Sequence, residues 1–287
     1  GVQNTITGSL AGDAMTTANF NNAFGVNALG ATTTGISNVA FGHSSLLANT
    51  TGASNVAIGN SALETNTTVS NLTAVGRSAL SANTTGTNGV AVGKDALQAN
   101  TTGDNNTAIG LEALQTNTTG DSLTAVGTGA LASNTTANSN SAFGRSALTA
   151  NTTGIGNNAF GIQCQNGTTT GNFNTAMGHV TMFTNTTGAE NSAFGGQAMY
   201  STTTGANNTA MGSTALYANT TGASNVAVGV QSLRLSTTAA GNTAVGFQSG
   251  KALTTGASNV AIGINALTAE QAGAHNTVVG EDAQAQS

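Results

Sequence analysis

The sequence predicts an all-β protein: a parallel β-solenoid (β-roll) of about seventeen 17-residue coils. Three observations predict it. A glycine recurs at every seventeenth position from Gly8 to Gly280, with no insertion or deletion, and a fixed period of this length is the mark of a solenoid or array. The residues around that glycine recur too, as in the rung 50–66, which reads TTGASNVAIGNSALETN. Finally, the chain has no proline, and Gly or Asn closes every short apolar stretch. Punctuation that dense leaves room for strands of four or five residues and not for helices.

Composition alone would suggest low complexity, since 39 of 287 residues are glycine and only 5% are charged. Disordered chains, however, are poor in apolar residues. This one is 38% hydrophobic, with the apolar residues in fixed columns. The formal charge is -5, and the bases Arg77, Lys94, Arg145, Arg234 and Lys251 form no cluster. A nucleic-acid footprint is therefore missing. No apolar run reaches the length of a membrane helix, so no membrane insertion is expected in this segment. A single cysteine, Cys164, excludes an internal disulfide framework. Asn4 to Gly8 is already in register with the repeat, which places residue 1 inside a longer or processed protein.

Taken in order, residues 1–287 read as a single repeat array. The first coil, 1–17, is irregular and lacks the Ala-Leu pair. The rungs are then regular until 161–171, where Gln165 stands in the leucine column, and again until 247–256, where Gly250 does. The terminal coil, 268–287, is atypical: Glu270, Gln271 and Ala272 replace Asn-Thr-Thr, and Asp282 and Gln284 follow. Polar, atypical end units are what solenoids use as caps.

Each column has a physical reading. The glycine after the strand has no substitute in any rung, so either φ is positive there or another backbone passes close by. The glycine after Thr-Thr is replaced at Ala18, Val69, Ala137 and Ala239. That corner needs no left-handed residue, and Gly154→Ala should be nearly silent where Gly144→Val disrupts its rung. Asn fills the Asn55 column except at Leu72, Gly89 and Leu123, and stacked asparagines hydrogen-bond along an axis. Threonine pairs recur from Thr16-Thr17 to Thr254-Thr255 and suit an exposed β corner.

Two columns hold large apolar residues. One runs from Phe24 through Ile58 to Val279, and the other, mostly leucine, from Leu29 to Leu267. Read as interior, they supply two large side chains per rung. At ~1.5–3 kcal/mol each these struggle against ~1–2 kcal/mol of backbone entropy per residue. A lone roll is marginal on that reckoning. The alanine columns then read as a stripe for close approach, near the contact between copies of an oligomer. Cys164 sits in one of them as a small buried hydrophobe.

Asn55-Val56-Ala57-Ile58-Gly59 and its relatives NTAVG, NSAFG and NNAFG resemble the head repeats of YadA-like trimeric autotransporter adhesins. The resemblance extends to every rung but rests on a short motif of common residues. It implies a homotrimer of left-handed β-rolls on a bacterial surface, binding host matrix or cells. The family's unit is shorter than seventeen residues, and the Thr-Thr-Gly corner is unlike it. Repeats of the TTG…NTAIG…AL type also resemble those of bacteriophage tail fibres.

The remaining polar residues follow no catalytic or metal-binding spacing. His43 and His179 share a column eight rungs apart and His275 lies elsewhere; at ~4.8 Å per rung the first two cannot share a metal. Were that column to face a three-fold axis, three copies of one histidine would meet at a metal or anion site; the plainer reading is a solvated or packed side chain. Asp104 and Asp121 read as surface carboxylates, and Asp95 and Glu112 share a column on adjacent rungs, as solvated surface carboxylates commonly do. No Ser-His-Asp order, HExxH, P-loop or EF-hand appears. The Asn-Thr-Thr triplets match glycosylation sequons but recur with the repeat.

The expectation is therefore a non-enzymatic structural and adhesive fibre segment with no catalytic, cofactor-binding or metal residues and no cofactor. Its partners would be its own copies, in a homotrimer or longer fibre, and an unidentified host-cell or matrix surface molecule. Its setting would be extracellular, on a virion as a tail fibre or on a bacterial cell as an adhesin or filament. The face carrying the Asn and Thr ladders is the candidate contact surface, and the departing rungs at Gln165 and Gly250 are candidates for a local specialisation. The alternative is an ice-binding solenoid using threonine ladders, although adjacent threonines on a strand point to opposite faces.

Overall fold

A computed structural model describes residues 3–269 and 271–284. Glu270, one of the residues of the capping argument, and residues 285–287 of the terminal coil lie outside them. The chain divides into two compact units, Gly1–Asn140 and Ser141–Ser287. Each is a parallel β-solenoid, with no helix among the described residues. The first carries eight strands, β1 (Thr5–Thr7) to β8 (Thr124–Val126), and the second nine, β9 (Ser141–Phe143) to β17 (Thr277–Val279). Within a unit, successive strands pair in parallel with partners seventeen residues apart, as Val56 opposite Thr73 and Asn158 opposite Thr175. One repeat is one rung.

The strands are three residues long, shorter than the four or five expected. In the rung 50–66 the strand is Val56-Ala57-Ile58. Alternation along it decides what is inside. Ala57 is 0% exposed, whereas Ile58 on the other face is 40% exposed. The same holds at Phe24, Phe41, Met177, Met211 and Ile262, all exposed beside buried alanines. The Ile58 column therefore points outward, and the two-column interior is corrected to one. Neither do the alanines form a contact stripe between copies: both alanine columns, those of Ala57 and Ala62, are sealed inside.

The opposing side of the interior comes from the arc 60–65. Leu63 is fully buried and takes a left-handed conformation, φ 52°, as does Ser61 at 55°. Alternating hands let the arc stack like a sheet. Leu63 N donates to Ala79 O and Thr65 N to Ser81 O, both at 3.1 Å, while Ser61 N donates back to His43 O at 2.9 Å. A left-handed residue costs ~1–2 kcal/mol, and a β-branched one is a genuine outlier there. The Leu63 and Ser54 columns, both left-handed, contain no Val, Ile or Thr at all. In the Ser61 column only Val180 (φ 48°) and Thr214 (φ 53°) break the rule.

Two asparagine columns complete the core. In the first, Asn38 Nδ2 and the Asn38 backbone N both donate to Asn21 Oδ1, at 3.1 and 2.9 Å. The same pair joins Asn174 to Asn157 and Asn208 to Asn191. Where Leu72 replaces asparagine, its N–H still donates to Asn55 Oδ1 at 2.9 Å. Gly89, on the following rung, leaves room for it: a Cβ there would lie 3.5 Å from Leu72 and 3.1 Å from Leu80. In the second column, Asn49 to Asn219, each Nδ2 donates to the carbonyl three residues on, as Asn83 does to Gly86 at 3.0 Å. The ladder breaks at Thr202 and Ser236, whose short side chains leave their own hydroxyls and the Oδ1 atoms of Asn185 and Asn219 buried without a partner.

The Thr-Thr-Gly corner closes the rung. Thr33 N, Thr34 N and Gly35 N, with Thr33 Oγ1, all donate to the single carbonyl of Thr50, at 3.0–3.3 Å. The glycine of that corner has no left-handed φ, as expected. It is nonetheless crowded: a Cβ on Gly154 would run into the Gly171 carbonyl oxygen and lie 2.6 Å from Asn151 Oδ1. Other rungs hold Ala18, Val69, Ala137 and Ala239 in this column, but at Gly154 an added Cβ requires its neighbours to shift, so Gly154→Ala is expected to cost stability. The glycine after the strand is constrained twice, since Gly144 has φ 135° and a Cβ would sit 2.5 Å from Gly161 O.

Gly144→Val should therefore destabilise the second unit by several times more than Gly154→Ala, the latter costing about 1 kcal/mol by ordinary mutational scales; urea titration of both variants checks the order. Thr202→Asn, alone or with Ser236→Asn, restores the broken ladder and should stabilise by about 1 kcal/mol per site. A lower urea midpoint would contradict the orphaned-acceptor account.

Candidate functional site

The residues carrying titratable or nucleophilic chemistry are dispersed, and the fold gives several of them a structural task. His43 is exposed, with Nδ1 3.4 Å from Asn60 Nδ2 on the next rung. His179 and His275 are exposed in other rungs. Among the described residues no three His, Cys, Asp or Glu side chains come together as a metal site. Asp104 Oδ1 accepts from Thr87 N and from Thr87 Oγ1 at 2.6 and 2.8 Å, and Asp121 Oδ1 accepts from Asp104 N at 2.7 Å. These carboxylates join rungs through backbone donors, as Ser70 Oγ and Asn172 Oδ1 do in the same column.

Asp95 and Glu112 do not form an acid–base pair. Asp95 is buried and its Oδ2 lies 3.1 Å from Arg77 Nη2 and 3.4 Å from Lys94 Nζ. Both bases are about half exposed, so the pairing contributes little beyond covering a buried carboxylate. Glu112 stands half-buried on the next rung, its N–H donating to Lys94 O.

The two irregular rungs are variations of the core. At Gly250 the missing leucine is replaced from another column: Leu253 is fully buried in the place of an asparagine, and a Cβ on Gly250 would lie 3.4 Å from it. Gln165 is buried in the leucine column, its Nε2 donating to Asn158 O at 2.8 Å and Asn174 O at 3.3 Å. Its Oε1 has no partner. Cys164, fully buried in the Ala62 column, donates to Ala176 O at 3.3 Å. Burial pushes its thiol up to about 12, against a smaller lowering by a backbone hydrogen bond at Phe160. A thiol so protonated is no nucleophile at neutral pH.

What the rungs present outward is a set of columns, and the strand face is the most apolar. Ile58 and its equivalents form one column, and the residue after the glycine adds exposed Val26, Leu111, Ile162, Val230, Phe247 and Ile264. Phe24 and Phe41 stack at 4.9 Å in the first unit, as do Phe143 and Phe160 in the second. The Thr50 and Thr51 columns form a second outward surface, polar and neutral. A third feature is the stack Phe183–Tyr200–Tyr217, with rings 5.3 and 5.2 Å apart and Arg234 over Tyr217 at 5.8 Å. Its ring faces are turned to one another, which leaves mainly edges to solvent.

The strand face is the feature that sequence reasoning missed, because an apolar column was assumed to be internal. Strict alternation from the strand's alanine was the signal for it: Ala57 and Ile58 are neighbours on a strand and cannot share a face.

Cys164 should resist thiol reagents at pH 7–8 until the second unit unfolds, with labelling following the unfolding curve. Because the folded thiol ionises well above its ordinary value of 9.0, the unfolded chain loses this proton first. The Cys164 contribution to stability is thus constant below about pH 9 and falls as pH rises from there towards 12; Cys164→Ala should flatten that part of the pH–stability curve. No protein-family model matches the chain, and no curated protein matches it in sequence.

Proposed function

We propose that this chain is a non-enzymatic fibre segment, structural and adhesive, whose copies associate through their strand faces as a homotrimer. The observation carrying this reading is the apolar strand face, repeated on rung after rung of each unit. Folded monomers rarely leave contiguous apolar patches of more than a few hundred Å² exposed. Here one apolar column, that of Ile58, is built into the repeat itself. With one large side chain per rung inside, covering the outer apolar residue is the largest further stabilisation open to the fold. It is worth ~1.5–3 kcal/mol for each fully buried side chain.

A second copy suits that face because its apolar residues recur at the same rung spacing. Stacked in parallel, each rung would meet its own equivalents. Three as the number of copies follows from the resemblance to trimeric adhesin heads. The same resemblance supports an extracellular setting, on a bacteriophage tail fibre or a bacterial surface adhesin, with a host-surface molecule as the ligand. The dispersal of carboxylates, histidines and the buried thiol supports a non-enzymatic role.

Sedimentation equilibrium should give three times the 27.8 kDa chain mass. Ile109→Lys with Phe160→Lys should shift it to monomer, whereas Glu64→Lys, outside the strand face, should not. A well-folded wild-type monomer would overturn the assembly and its interface together.

A further inference from the structure

We infer that the outer threonine column, represented by Thr51, is an ice-binding surface. It runs at every seventeenth position from Thr17 to Thr136 in the first unit and from Thr153 to Thr255 in the second. Every one of these residues is exposed. The inference does not rest on self-association, because these side chains belong to a different column from the strand-face residues.

The two threonines of the corner have different tasks. The inner one, represented by Thr50, is tied into the fold: its hydroxyl donates to the next rung's carbonyl, as Thr101 Oγ1 does to Thr118 O at 3.1 Å and Thr203 Oγ1 to Thr220 O at 3.1 Å. That bond explains why the inner column is threonine. The outer one contributes its backbone N–H to the same kind of carbonyl, as Thr102 N does to Thr118 O at 3.2 Å, and any residue but proline would do so. Its hydroxyl makes no hydrogen bond among the described residues. The fold has a use for a β-favouring residue here but none for the hydroxyl, and yet serine, valine and isoleucine never replace it.

Divergence elsewhere makes that retention informative. The outward column after Thr-Thr-Gly holds Asn19, Ile36, Ala53, Asp104 and Asn172, and the one after the strand glycine holds His43, Arg77, Leu111 and Phe247. Copies of the repeat have drifted freely at these surfaces, but not at the outer threonine. The column preceding the corner, that of Ala48, Ala82, Ala99 and Ala218, carries no charged residue in any rung. On that side of the ladder the surface is thus neutral and mostly short-chained.

The chemistry of such a ladder fits a solid with a lattice repeat close to one rung. Parallel strands stack ~4.8 Å apart, and the phenylalanine rings of neighbouring rungs have centroids 4.9 Å apart in each unit, close to the oxygen repeat on ice surfaces. Threonine is stiff at χ1, so successive hydroxyls and methyls hold the same orientation. The hydroxyls can enter a water lattice while the methyls fill the gaps between its oxygens. A soluble glycan would call for aromatic faces, and an ionic surface for charge; the column supplies neither.

The test uses the full chain, with folding checked by circular dichroism. Thermal hysteresis and faceted ice crystals are expected, together with uptake into a growing ice hemisphere. Thr85→Lys with Thr119→Lys should reduce hysteresis, and adding Thr187→Lys with Thr221→Lys should abolish it. Ile109→Lys with Phe160→Lys should leave the activity in place while changing the sedimenting mass, so the two proposals fail separately. A folded wild-type chain without hysteresis or ice uptake overturns the inference. So does hysteresis unchanged in the fourfold variant, or retention on crystalline chitin or cellulose with none on ice.

Discussion

The close approach of consecutive rungs at the glycine after each strand is the constraint on which the rest of the molecule depends. At Gly59 the chain turns with φ 133° and its N–H donates to Phe41 O at 2.7 Å, while a Cβ would sit 2.5 Å from the Gly76 carbonyl oxygen. Backbone meets backbone with no side chain between. Every rung must then present its glycine at the same place. An inserted or deleted residue would put a side chain against the next rung's carbonyl. The unbroken seventeen-residue count is the outcome of that requirement.

A rung so closely stacked encloses little space, and what fills it is unusual. One leucine, two alanines and two asparagines make most of the interior. Buried amides are tolerable because most of them find partners: in the first column the oxygen of one asparagine accepts from the backbone and side chain of the next. An unmade buried hydrogen bond costs more than a made one contributes. The ladder is therefore most stable when uninterrupted, and its gaps at Thr202 and Ser236 are its weak points. The irregular rungs obey the same economy of space, with Leu253 filling the volume that Gly250 vacates.

Because the interior takes so few residues, most of each rung is surface, and repetition turns every outward position into a linear array. The strand face becomes a stripe rich in exposed apolar side chains. The corner becomes a double row of threonines, the inner row bonded into the fold and the outer row turned to solvent. Among the described residues the scattered histidines, carboxylates and thiol are not gathered into a metal site, and several of them, such as Asp95, Asp104 and Cys164, are held by structural contacts.

The period, the parallel solenoid class, the asparagine ladder and the intolerance of the strand glycine were legible in the sequence, because each follows from recurrence at fixed spacing. Left-handed backbone at Leu63 was not read, though its trace is there: a chain rich in Thr and Val never places one in that column. The direction of the Ile58 column depended on the fold. Its apolar side chains look internal by hydrophobicity, but the arc delivers Leu63 to the space opposite Ala57, and no room remains for a second large residue. Which of the two threonines is free was likewise decided only when the corner closed and one carbonyl gathered the donors of the inner one. The sequence by itself determined that the rungs stack and where they touch. Only the tertiary structure decided which residues face outward, because sidedness in so narrow a coil is set by the volume left between strand and arc.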